Sequence, residues 1–145
     1  MILVTGGTGL VGSHLLYQLL LKNKKVRVIH RINSDLSRVK TIFSYYTKTP
    51  AVYFDKIEWV EANLDDIPAL EKAFSSISIV YHSAALVSFN PKDYYSMRNI
   101  NIKGTANIVN LCLDFKIKKL CFVSSIATLE NVPSDVVVDE TKAWS

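Results

Sequence analysis

The chain has 145 residues, 49% of them apolar and 21% charged, the make-up of an ordinary globular domain with one core. Its net charge of +4 comes from lysines scattered beside apolar runs, at 22, 24, 25, 116, 118 and 119. Such scatter fits solvated helix ends rather than a nucleic-acid surface, and no apolar run reaches the roughly 20 residues of a membrane span.

Read in chain order, short β-rich runs alternate with helical patterns. Met1–Thr5 is a short apolar strand. Residues 10–22 follow with Leu15, Leu16, Leu19 and Leu20 spaced for one helix face. Lys25–His30 is the second strand, and residues 34–46 read as a capped helix carrying Leu36, Val39, Ile42 and Phe43 on one side. Residues 47–56, broken by Pro50, read as a loop. Ile57–Glu61 is a third strand, Pro68–Phe74 a short helix and Ser78–His82 a fourth strand. One long helix is predicted over 92–115 and a fifth strand over 119–124, while the tail from Asn131 holds only a β-rich VVV patch at 136–138. Asp65 and Asp66 are candidate caps of the Pro68 helix.

This alternation implies a three-layer, doubly wound parallel α/β sheet of Rossmann type. Right-handed crossovers give the strand order 3-2-1-4-5, with a ligand crevice at the carboxyl ends of strands one and four. No leader-like segment precedes the first strand, and the two cysteines, Cys112 and Cys121, lie in apolar segments. The expectation is a cytoplasmic protein with two buried, reduced thiols.

The motif that carries chemistry is Thr5-Gly6-Gly7-Thr8-Gly9-Leu10-Val11-Gly12, directly between the first strand and its helix. Gly6 permits the tight turn, Gly9 lets backbone approach a pyrophosphate, and Gly12 lets the helix pack closely on the sheet. Thr8, Leu10 and Val11 complete a helix start whose N–H groups and dipole favour phosphate. At the end of the second strand a carboxylate would select NAD, but here His30-Arg31 stands there. A guanidinium suits a 2′-phosphate, so NADP is expected over NAD. No metal-ligand cluster is evident, and none is expected.

Five segments in register carry a family resemblance: TGGTGLVGSHL at 5–15, WVEANLDD at 59–66, VYHSAALVSF at 80–89, NINIKGTANIV at 99–109 and FVSSIATL at 122–129. Together they resemble the extended short-chain dehydrogenase/reductases. The similarity is to the NAD(P)-dependent epimerase/dehydratase branch with its dihydroflavonol reductase-like and hydroxysteroid dehydrogenase-like proteins. The resemblance places Asn63 and Leu64 beside adenine, with Asn63 in place of the family's Asp. It puts Ala84 and Ala85 along the nicotinamide-side ribose, with His82 a satisfied strand-end residue. It gives Asn101, rather than Asn99, the supporting role on the fourth long helix, where Gly104 would let helix and sheet pack tightly. Ser125 matches the family's catalytic serine. Ser124 before it reads as a strand end or as part of the cofactor site.

The family also needs a Tyr followed four residues later by Lys, and none of the seven tyrosines here has one. The resemblance therefore implies that residues 1–145 are an incomplete NAD(P)-binding domain lacking the C-terminal substrate part. The reading is the dinucleotide-binding part of an NADP-dependent oxidoreductase acting on a small-molecule substrate. A non-catalytic NAD(P)-binding module or sensor, and a nucleotide-sugar epimerase or dehydratase, are the alternatives. Neither nucleic acid nor membrane is an expected partner, but an uncovered sheet edge would invite self-association.

Overall fold

A computed structural model of the chain describes residues 1–125, 128 and 137–141. Five parallel strands form one sheet in the order β3-β2-β1-β4-β5, as expected. They are β1 Ile2–Thr5, β2 Val26–His30, β3 Glu58–Glu61, β4 Ile79–His82 and β5 Lys119–Phe122. The register aligns Thr5 with Ile29 and with His82, so the ends of β1, β2 and β4 open onto one rim.

Central strand β1 is buried at every residue, as an apolar run covered on both faces must be. Alternation along it feeds two cores. Ile2 and Val4 join Leu16, Tyr17, Val28 and Phe43 beneath α1 (Leu10–Leu21) and α2 (Ser37–Ser44). Leu3 joins Leu70, Phe74, Val80 and Ile108 beneath α4 (Ile67–Phe74) and α6 (Thr105–Asp114). Arg27 ties β2 across the sheet, donating to Glu58 at 2.8 Å and to the carbonyls of Ala73 and Ser75 at the C-terminal end of α4.

Several expectations need correction. The 47–56 stretch is not a bare loop: Pro50–Phe54 forms a short helix, α3, with proline in its first turn, where the missing N–H costs nothing. Helix α2 begins at Ser37, not 34, because Ser34 caps the backbone of Arg31 instead. The long helix over 92–115 is composite. A 3-10 turn at Pro91–Asp93 leads into α5 (Tyr94–Arg98), a wider π-helical stretch Asn99–Gly104 follows, and α6 completes it.

Asp66, not Asp65, caps α4, accepting from the Ala69 N–H at 3.1 Å. Cys112 is buried but Cys121 is exposed, because β5 is the sheet edge with nothing packed outside it among the described residues. Both thiols are free. Ser124 and Ser125 lie just past β5 rather than within it. Val137 and Val138 belong to no strand, and Val136 lies outside the described residues. Among the described residues no helix is long and apolar enough to cross a membrane.

Candidate functional site

The rim where β1, β2, β3 and β4 end encloses a cleft of about 510 Å³. Its floor is the glycine turn. Gly6 sits at φ +71°, the left-handed region that a side chain rarely adopts. A Cβ there would lie 2.6 Å from the Ser83 carbonyl carbon and the Ala84 nitrogen, so the turn abuts the loop after β4 backbone to backbone. A Cβ on Gly9 would meet a single neighbour, the Gly6 oxygen at 3.3 Å, leaving open cleft above that residue. Gly12 does not pack on the sheet as expected. It packs on the turn itself, where a Cβ would come within 2.2 Å of the Gly6 oxygen.

Helix α1 starts at Gly9 without a side-chain cap, so its first-turn N–H groups and positive dipole end remain for a ligand. Thr8 and Gly9 line the cleft directly. Leu10 and Val11 do not, and both residues are exposed, at 72% and 54%.

One end of the cleft is basic. Arg31 and Ser34 line it from the β2–α2 connection and Arg38 from the first turn of α2, with Asn63, Leu64 and Asp65 following the neighbouring strand β3. Asp35 does not line the cleft: its carboxylate accepts from the Ser37 hydroxyl and N–H and lies 3.8 Å from the Arg38 guanidinium, and these partners, Ser37 foremost, hold its pKa below the usual value. Asp65 is the one carboxylate among the described lining residues. Sequence reasoning does not single out Ser34 or Arg38. The signal was available in a helix opening just beyond Arg31, whose first turn must return past the strand end.

The other end, past β4, is lined largely by small residues. Ala84 and Ala85 line it, with Ser83, Leu86 and Asn99. Ser83 donates its N–H and its hydroxyl to the Thr5 carbonyl, at 3.2 and 2.7 Å. Asn101 is absent from the lining because its amide is engaged elsewhere: it accepts from the Leu86 N–H at 2.8 Å and donates to the Leu86 carbonyl at 2.9 Å. That two-bond clamp fixes the loop after β4, and the wider π-helical turn is the backbone that presents it. Gly104 packs not on the sheet but on Leu64, whose Cβ would be 2.8 Å from a Gly104 Cβ. Ser124 and Ser125 follow β5 on the same rim, exposed and outside the cleft lining.

His82, at the end of β4, is fully buried. Its Nδ1 lies 2.6 Å from the Thr5 hydroxyl and its Nε2 2.9 Å from the Thr105 hydroxyl. Burial pushes its pKa down to about 4, so the ring is neutral near pH 7 and is satisfied rather than poised as a base.

The residues fit a dinucleotide: an open-topped glycine turn at a helix start, a cationic end and a small-residue end. Among the described residues no His, Cys, Asp and Glu cluster could hold a metal ion.

The profile of the family described as male sterility protein, an NAD-binding domain family, matches residues 4–143. UDP-glucose 4-epimerase of Dictyostelium discoideum is 32% identical over 147 residues, covering 96% of this chain and 40% of that protein. Cinnamoyl-CoA reductase 1 of Oryza sativa subsp. japonica is 27% identical over 148 residues, covering 100% of this chain and 40% of that one. Among solved structures, UDP-glucose-4-epimerase from Stenotrophomonas maltophila with bound NAD and formylated UDP-arabinopyranose superposes with a TM-score of 0.80 at 26% identity. That match covers 99% of this chain and 42% of the other. The chain thus spans less than half the length of these relatives.

Proposed function

The chain belongs to the male sterility protein family, within the epimerase/dehydratase-like short-chain dehydrogenase/reductases, and from that premise we propose that its cleft holds NADP for an oxidoreductase. The substrate class is a small molecule with a carbonyl to be reduced or an alcohol to be oxidised. The observation that carries the cofactor reading is the cationic end of the cleft. Arg31 and Arg38 line it together, while Asp35, the acid that follows β2, stays outside the lining, bonded to Ser37 and 3.8 Å from the exposed Arg38 guanidinium. Two guanidiniums can grip a 2′-phosphate with charge-assisted hydrogen bonds and stack on adenine.

In this reading the N–H groups of Leu10, Val11 and Gly12 receive the pyrophosphate, and Asn63 and Leu64 flank adenine. Ala84 and Ala85 let the nicotinamide-side ribose lie flat against backbone. When bound, the cofactor supplies or removes the hydride equivalent. Ser125 polarises the substrate oxygen by donating its hydroxyl, and Ser124 lies beside the cofactor. The exposed edge of β5 makes association between copies part of the same proposal, since unpaired strand edges template pairing.

Titration of the chain with NADPH and NADH tests the cofactor reading. NADPH should bind about tenfold tighter or better, and Arg31→Ala should remove most of that margin. A preference for NADH in the unmodified chain refutes it. The similarity to UDP-glucose 4-epimerases supports a second reading, in which NAD is the cofactor and Asp65 bonds its ribose. Retention of NAD through purification would favour that reading.

A further inference from the structure

The ring of His82 touches three elements, bonding Thr5 in β1 and Thr105 in α6 and stacking on Phe122 in β5, and its hydrogen-bond accounting fixes how it does so. Thr5 is buried. Its backbone carbonyl is occupied by Ser83, and its hydroxyl oxygen accepts the Ala84 N–H at 3.2 Å. The Thr5 hydroxyl still has one proton to donate, and His82 Nδ1, at 2.6 Å, is the acceptor the structure offers. Nδ1 must then be unprotonated, so a neutral ring carries its proton on Nε2 and donates it to the Thr105 hydroxyl at 2.9 Å. Thr105, unlike Thr5, is only half-buried, so its own proton can go to solvent.

The connected groups are those that shape the cleft. Thr5 immediately precedes Gly6, Ala84 lines the opposite wall, and Thr105 opens α6 just past the turn whose Asn101 clamps Leu86. We infer that His82 is a positioning residue: as the Nε2–H imidazole it anchors on Thr105 and orients the Thr5 hydroxyl, which holds the Ala84 amide and so sets the spacing between the glycine turn and the loop after β4. This rests on reading the cleft as a dinucleotide site. His82 itself does not line the cleft and acts through Thr5 and Ala84.

The test combines tautomer and affinity. In the ¹⁵N-labelled chain, long-range proton–nitrogen spectra should show His82 with Nε2 protonated and Nδ1 unprotonated; protonated Nδ1 overturns the inference. NADPH and NADH titrations of His82→Leu should give about tenfold weaker binding of the preferred cofactor, the loss of one or two directed hydrogen bonds. His82→Asn, whose side-chain oxygen can still accept from Thr5, should stay within about threefold of the unmodified chain. Thr105→Val, isosteric and remote from the cleft, should weaken binding about threefold and change the His82 nitrogen shifts. Folded variants that all bind as the unmodified chain does would overturn the positioning role and leave the dinucleotide reading standing. Failure of the unmodified chain to bind either cofactor would overturn that reading and the inference with it.

Discussion

Replacing Gly12 by alanine sets two physical effects against each other. Helix propensity alone predicts a gain of about 1 kcal/mol, because alanine is the better residue within a helix. The structure predicts the reverse. The new Cβ would stand 2.2 Å from the Gly6 oxygen, 2.7 Å from the Gly6 carbonyl carbon and 2.8 Å from the Gly7 Cα. Carbon and oxygen prefer about 3.5 Å, so the turn must retreat by roughly 1 Å. All three obstructing atoms are backbone, and Gly6 is held from its other side by Ser83 and Ala84. Overpacking of this kind costs about 1–3 kcal/mol, which outweighs the propensity gain. Urea denaturation should therefore show a lower midpoint, and cofactor titration a larger loss than the stability change alone explains, because the displaced atoms are the floor of the cleft. A midpoint equal to or above that of the unmodified chain, with unchanged cofactor affinity, would refute the reasoning.

Further outcomes follow from the same packing. Burial lowers the His82 pKa from 6.5 to about 4, so the unfolded chain binds a proton first as pH falls. The stability from keeping that ring neutral is complete above pH 6.5 and lost toward pH 4, amounting to about 3 kcal/mol at most; urea midpoints from pH 7 to 4.5 should fall less steeply in His82→Asn, and parallel slopes would contradict this. Of the two thiols, Cys121 is exposed whereas burial pushes Cys112 up to about 11, so a thiol reagent should label one site quickly and the other only on unfolding. Fast labelling of both would contradict the buried placement of Cys112. Asn101→Leu removes both bonds to Leu86 and should weaken cofactor binding about tenfold with the sheet intact by circular dichroism; unchanged affinity would mean that the loop needs no clamp.

What was legible in the chain was whatever a local period or a handedness rule determines. The apolar run before the glycines, the switch to helical spacing after them and the right-handed crossovers together yield the sheet and its order. The glycine turn was legible because its backbone demands act within seven residues. Partnerships across long sequence separations were not. His82 meets Thr5 from 77 positions away, and the π-helical turn at Asn99–Gly104 presents an asparagine that bonds Leu86. Cys121 looks buried from its apolar neighbours, but exposure on an edge strand depends on what packs beyond it. The helix at Pro50 shows the opposite failure: its start signal was present, and proline was read as a break instead of a first turn. Arg31 was legible from its place after β2, while Arg38 was not, because the helix start that brings it back shifts from 34 to 37.

Amide chemical-shift mapping of the labelled chain with NADP tests the central claim most directly. A dinucleotide in the described cleft should shift Gly6, Gly9, Leu10, Val11 and Gly12 together with Arg31, Asn63, Ala84 and Ala85. It should leave untouched the hollow of about 440 Å³ at the opposite ends of the strands, lined by Lys24, Lys25 and Lys56. Shifts centred on those lysines, or none at millimolar cofactor, would contradict the account.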